Sequence, residues 1–177
     1  MNKSYISVTE IANESISSEQ LKRLHHRYCW AKNYCVGKDV LEVACGSGPG
    51  LHLLNEVAKT LSAGDIDQNI VNVTKKNFNN SFEIKKFDAL SMPYKDNSKD
   101  VIIIFEAIYY LSNFKKFINE CNRVLRINGV ILIATANKDL FDFNPSPISY
   151  EYFGVKELKE KLSNTGSLSF YGFLSIN

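Results

Sequence analysis

The stretch Val40-Leu41-Glu42-Val43-Ala44-Cys45-Gly46-Ser47-Gly48-Pro49-Gly50 limits the possible folds more than any other part of the chain. Residues of strand type, one of them acidic, run into a loop of small residues and then into a helix. Gly46 and Gly48 lack the Cβ atoms that would keep a ligand from the backbone. The helix that follows offers unpaired N–H groups and a partial positive charge at its start. A strand, a tight glycine loop and a helix in this order are the opening unit of an open α/β sheet, with a ligand site at the loop.

The rest of the chain repeats the alternation. Ser17 with Gln20 three residues on forms a capping box, and Leu21, Leu24, Tyr28, Ala31 and Cys35 follow at helical spacing, which predicts a helix to about residue 34. Residues 40–43 read as the first strand and 49–58 as the next helix, with Pro49 suited to a first turn where its N–H would be unpaired anyway. Further strands are expected at 60–65, 82–86, 101–105 and 130–134. A helix to about residue 78 falls between the first two of these. Phe114, Phe117, Ile118, Cys121, Val124 and Leu125 recur on one face of another helix, with Asn128-Gly129 as its stop. A loop holding Pro145 and Pro147 leads to a helix at 155–164 and a last strand at 168–174. This order predicts an α/β fold with a doubly wound, mainly parallel sheet and helices on both faces.

Composition narrows the function. The chain has 177 residues, enough for one ordinary domain, and a formal net charge of +2. Its lysine pairs, Lys75-Lys76, Lys85-Lys86 and Lys115-Lys116, are scattered, so no nucleic-acid track is expected. Cys29, Cys35, Cys45 and Cys121 show no C-x-x-C pair and no metal-ligand spacing, which predicts reduced thiols and no metal. The strongest apolar run, 101–105, has strand length, and nothing reads as a signal peptide or membrane span. A cytoplasmic protein without a membrane partner is the expectation.

Two cofactor classes use such a glycine loop. The dinucleotide fingerprint needs a third glycine where Leu51 stands, so a nicotinamide-dependent dehydrogenase is disfavoured. The acidic Glu42 ahead of the loop instead resembles motif I of class I S-adenosylmethionine-dependent methyltransferases, of the type 11 or UbiE-like kind, with Ala44 in place of the usual first glycine. Gly64-Asp65-Ile66-Asp67 ends the second strand, with Asp65 at the offset where that family carries an acid. Phe87-Asp88-Ala89-Leu90-Ser91-Met92-Pro93-Tyr94 resembles the family's D-A-x-x-L-P-F stretch, and Glu120-Cys121-Asn122-Arg123-Val124-Leu125 resembles its E-x-x-R-V-L motif. The likeness covers about residues 38–136.

The resemblance implies S-adenosyl-L-methionine as cofactor and methyl transfer as the reaction. Glu42, Ala44, Gly46 and Gly48 would shape the methionine end of the site. Asp65 would hold the ribose hydroxyls, Ile66 would pack on the adenine, and Asp88 with the Ala89 N–H would bond its edge. Phe105 and Tyr28 complete the expected cofactor set, and Arg27 or Tyr28 would meet the methionine carboxylate from the helix before the first strand. Glu106 and Tyr109 are the catalytic candidates, whereas His25 and His26 read as surface residues. No nucleic-acid-amine motif follows the fourth strand, so the acceptor is expected to be a small molecule; Tyr150, Tyr152 and Phe153 read equally well as an apolar lid over it or as an anchor for the last helix. Residues 1–37 read as an extension and helix covering the cofactor site, and 38–177 as the catalytic domain. The resemblance also implies a seven-stranded sheet, of which the C-terminal part is expected to be missing or shortened. The rival reading is a cofactor-binding module without turnover.

Overall fold

The structure, a computed structural model, describes residues 17–172. Helix α1 (Ser18–Cys35) opens on the capping box expected for it, the Ser17 hydroxyl accepting from the Gln20 N–H and the Gln20 side chain from the Ser17 N–H. Then come β1 (Asp39–Val43), α2 (Leu51–Asn55), β2 (Thr60–Asp65), α3 (Gln68–Asn77), β3 (Glu83–Lys86), β4 (Lys99–Phe105), α4 (Phe114–Val124), β5 (Leu125–Ala134) and α5 (Val155–Leu162). The five strands form one parallel sheet in the order β3-β2-β1-β4-β5. The order reverses between β1 and β4, which places the switch point beside the glycine loop.

Alternation along the strands explains both layers. Leu41 and Val43 of β1 and Ile102 and Ile104 of β4 face Phe117, Ile118 and Cys121 of α4 and Leu158 of α5. Val40, Val101, Ile103 and Phe105 face the other way, onto Leu24, Tyr28 and Ala31 of α1, Leu51 and Leu54 of α2 and Val71 of α3. Ile102, Ile103 and Ile104 are fully buried in succession, as a strand covered on both faces requires. Each such side chain stabilises the fold by about 1.5–3 kcal/mol. The same alternation sends Glu42, two residues after Val40, towards α1. That is an unusual place for a carboxylate.

Four expectations need correction. Helix α2 is shorter than 49–58: Gly50 is its N-cap, and Pro49 lies ahead of it in a turn closed by Leu51 N–H donating to Gly48 O at 3.1 Å. Asn128-Gly129 does not end α4. The helix stops at Val124, where the Asn97 and Ser98 N–H groups take the Arg123 and Val124 carbonyls at 2.9 and 2.8 Å. Asn128, at φ 65°, instead lies within β5, where the pairing moves from Lys99–Leu125 to Val101–Val130 across a bulge. The helix expected at 155–164 ends at Leu162. Residues 168–172 form no strand, and 173–174 fall outside the described residues. Tyr171 packs instead on Trp30 of α1, with ring centres 5.6 Å apart.

Candidate functional site

At the carboxyl end of β1 the backbone enters the left-handed region three times, at Ala44 (φ 54°), Gly46 (56°) and Gly48 (78°). Glu106, directly after β4, does the same at φ 48°. For Ala44 and Glu106, which carry a Cβ, this conformation costs about 1–2 kcal/mol each. Strain of this kind concentrates at ligand sites, and here it flanks the switch point on both sides. Thr74 of α3 holds the loop from below, its hydroxyl donating to Gly46 O at 2.7 Å, while Cys45 N–H donates to Gly64 O at 3.0 Å. Gly50 is required for a different reason: a Cβ there would lie 2.2 Å from the Tyr28 ring.

The loop is tied to the end of β2. Asp65, 7% exposed, accepts from Gly46 N–H at 3.2 Å and from Asp67 N–H at 3.0 Å. Burial raises its pKa, and the main-chain donors around it pull the other way. Ile66 beside it is 47% exposed, an apolar side chain on the open side of the site. Asp67 caps α3 by accepting from Asn69 N–H at 2.8 Å. The neighbouring strand joins through Phe87 N–H, which donates to Asp65 O at 3.0 Å and so sets Asp88 next in line. Asp88 is exposed and accepts from Leu90 N–H at 2.8 Å, whereas Ala89 is buried.

Glu42 is 2% exposed. Its Oε1 accepts from the Tyr28 hydroxyl at 2.5 Å, and its Oε2 has no hydrogen-bond partner among the described residues. Burial pushes its pKa up to about 7, against the opposing pull of the Tyr28 hydroxyl and the Arg27 charge. Tyr28 continues the chain of contacts to Phe105, edge to face at 5.3 Å. The Arg27 guanidinium lies 5.7 Å from the same ring, and its Nη1 pairs with Glu106 Oε1 at 3.0 Å. Tyr109 donates from its hydroxyl to Glu106 Oε2 at 3.4 Å. Burial and the Glu106 charge raise the Tyr109 pKa far above the usual phenol value.

The structure therefore brings Tyr28, Glu42, Phe105, Glu106 and Tyr109 into one network and Gly46, Asp65 and Phe87 into another. Arg27 joins the first beside Tyr28, through its pair with Glu106. His25 and His26 are exposed, in keeping with their reading as surface residues. Thr74 and Gly50 escaped the sequence reading. A threonine inside a helix gives no signal of its own, and the Gly50–Tyr28 approach joins residues far apart in the chain. Past β5, Tyr152 stacks on Tyr109 at 4.3 Å and Phe143 meets Tyr152 at 4.8 Å, while Phe153 is buried against Phe114. Tyr152 thus adjoins the network, and Phe153 is the anchor for α5.

A profile of the methyltransferase domain matches residues 41–133. The chain belongs to the methyltransferase domain family. Its cofactor is S-adenosylmethionine. A protein of Mycolicibacterium smegmatis, named as a probable S-adenosylmethionine-dependent methyltransferase, is 33% identical over 149 residues, which is 82% of this chain and 55% of that protein. The phthiotriol/phenolphthiotriol dimycocerosates methyltransferase of Mycobacterium tuberculosis is 33% identical over 96 residues, 52% of this chain and 36% of the other. The chain spans about half the length of the relatives that match it over most of its residues. Among solved structures, an S-adenosylmethionine-dependent methyltransferase of Aquifex aeolicus superposes with a TM-score of 0.69 at 22% identity, covering 86% of this chain and 89% of that one. The methyltransferase domain thus has a fold partner of similar size. Among its described residues, no helix is long and apolar enough to cross a membrane.

Proposed function

We propose that this domain transfers a methyl group from S-adenosylmethionine to an apolar small molecule carrying a hydroxyl group. The observation that carries the reading is the juxtaposition of the glycine loop with Asp65, whose carboxylate lies 3.2 Å from the Gly46 N–H. Three features fit the cofactor. The unpartnered Oε2 of Glu42 lies beneath the loop where a cationic or N–H-bearing group would satisfy it. Asp65 has the two acceptor oxygens that vicinal ribose hydroxyls need. Ile66 offers exposed apolar area to a flat ring. Asp88 and the Ala89 N–H would then complete the adenine end, with Ala44, Gly46 and Gly48 around the methionine end.

When bound, S-adenosylmethionine supplies a methyl group on a positively charged sulfur that leaves as a neutral thioether once an acceptor lone pair takes the methyl. The protein's share of the work is alignment and exclusion of water, which contribute up to about 7–11 kcal/mol in well-oriented systems. Arg27 and Glu106 suit the carboxylate and ammonium of an amino acid, and Phe105 and Tyr28 wall them off. Glu106 also stands at the acceptor side, where it can take a hydroxyl proton.

The acceptor class follows from what lies beyond Glu106. Tyr109, Tyr110, Tyr152 and Phe143 form a run of ring contacts between 4.3 and 4.8 Å leading away from it. Leu140 and Phe141, from the same loop as Phe143 and Tyr152, are exposed apolar side chains, Phe141 fully so. Such a surface favours an apolar body over a sugar or a charged amine. The dimycocerosate methyltransferase of M. tuberculosis, a lipid enzyme by its name, is in keeping with this.

The test is incubation with methyl-labelled S-adenosylmethionine and separate pools of hydroxylated lipids, sugars and amines. Label is expected in the lipid pool, with turnover at least tenfold lower in Glu106→Gln, roughly 1.4 kcal/mol. Label in the sugar or amine pool alone would refute the acceptor class. Transfer at the wild-type rate in Glu106→Gln would remove that residue from the chemistry.

A further inference from the structure

We infer that Arg123 is a positioning residue for the adenine end of the cofactor, acting through the segment that carries Asp88 and Ala89; the inference rests on the cofactor reading above. Arg123 lies in the last turn of α4, one turn after Glu120. The two side chains meet twice, Nε donating to Glu120 Oε1 at 2.9 Å and Nη2 to Oε2 at 2.8 Å. The other contacts of the guanidinium all go to one stretch of chain. Nη2 donates to Met92 O at 2.9 Å, and Nη1 to Tyr94 O at 2.7 Å and to Asp96 Oδ1 at 2.8 Å. Glu120 closes the set by accepting from Met92 N–H at 2.8 Å, so both main-chain groups of Met92 end on a single ion pair.

The residues just upstream give this clamp its consequence. Asp88 heads a tight turn in which Ser91 N–H donates to Asp88 O at 2.9 Å and Leu90 N–H to its carboxylate at 2.8 Å. The turn begins where Phe87 N–H meets Asp65 O and ends at Met92. Asp88 and Ala89 belong to no helix or strand, and they stand between two fixed points: the end of β2, and the Glu120–Arg123 pair. A planar guanidinium with five N–H donors in a rigid fork can hold three groups along a curved path, whereas a lysine ammonium cannot reproduce that geometry. Displacing such a loop by about 1 Å is enough to spoil alignment in a reactive site.

The experiment titrates S-adenosylhomocysteine, and its analogue with hypoxanthine in place of adenine, into wild type, Arg123→Lys and Arg123→Ala, alongside hydrogen exchange of the free proteins. Wild type should prefer the adenine ligand at least tenfold. Arg123→Lys should lose most of that preference, with about tenfold weaker binding of the adenine ligand. Its exchange should rise within residues 88–97 and remain as in wild type in β1 and β4. If Arg123→Ala fails to fold, the lysine variant, which keeps the charge, carries the test. Wild-type preference and protection in Arg123→Lys would overturn the positioning role alone. A folded wild type that binds neither ligand would overturn the cofactor reading and this role with it.

Discussion

At the carboxyl ends of β1, β2 and β3, positions are set by the main chain: strand register, Gly46 N–H on Asp65, Phe87 N–H on Asp65 O, Thr74 under the loop. Past β4 they are set by rings packed on rings, and from residue 135 to 154 the chain crosses the site with no helix or strand. Each region holds one residue with a Cβ in the left-handed region, Ala44 in the first and Glu106 in the second, and the first adds a buried carboxylate, Glu42. A site that holds one invariant ligand benefits from rigid backbone and tolerates such costs. A site that meets the variable partner can leave its geometry to side chains that substitute easily. The two regions should therefore respond differently to mutation, in stability on one side and in acceptor kinetics on the other.

The largest effect is expected at Gly50. In Gly50→Ala the new methyl group would overlap the Tyr28 ring, which is buried against Phe105 and bonded to Glu42, so neither side can yield. Urea unfolding should show a loss of about 2–4 kcal/mol, or no folded protein at all. Wild-type stability in this variant would mean that the cofactor region is not rigid.

Next in size is a pH effect from Glu42. Its carboxyl is raised from an ordinary value of 4.5 to about 7 by burial, so the folded protein keeps a proton that the unfolded chain releases. Stability from this group is greatest below about pH 4.5 and falls as pH rises towards 7. Glu42→Gln cannot ionise and should flatten this slope, with a gain on the order of 1–3 kcal/mol at pH 8 and little change at pH 4.5. Thermal melts of the two proteins across that range decide it. Parallel slopes would show that Glu42 is not buried in its charged form.

The smallest effect should appear in the second region. Tyr152→Leu removes the ring stacked on Tyr109 and should raise the KM for acceptor about threefold to tenfold, in line with the 0.5–1.5 kcal/mol typical of aromatic pairs, while leaving cofactor affinity unchanged. Weakened cofactor binding in this variant would break the division between the two regions.

The same division explains what could be read from the sequence. All five strands and the doubly wound architecture were legible because continuous apolar runs such as 101–105 and helical spacing from Phe114 to Leu125 are local patterns. Glu42, Gly46, Asp65 and Asp88 stood out because they sit at strand ends and in the loops that follow them, positions that the sequence pattern fixes. Asn128-Gly129 misled because a local stop signal competes with tertiary bonds: Asn97 and Ser98 capture the last carbonyls of α4 before that pair is reached. The Arg27–Glu106 contact joins residues 79 apart in the chain, and the Tyr109–Tyr152 stack depends on the path of a loop without regular structure. Neither leaves a periodic trace in the sequence.

The central claim, that Asp65 and the glycine loop form the cofactor site, is tested most directly by calorimetric titration of S-adenosylmethionine and S-adenosylhomocysteine into wild type and Asp65→Ala. Micromolar binding by the wild type, at least tenfold weaker in the variant, is the predicted result. No binding by a folded wild type, or equal affinity in Asp65→Ala, would contradict it.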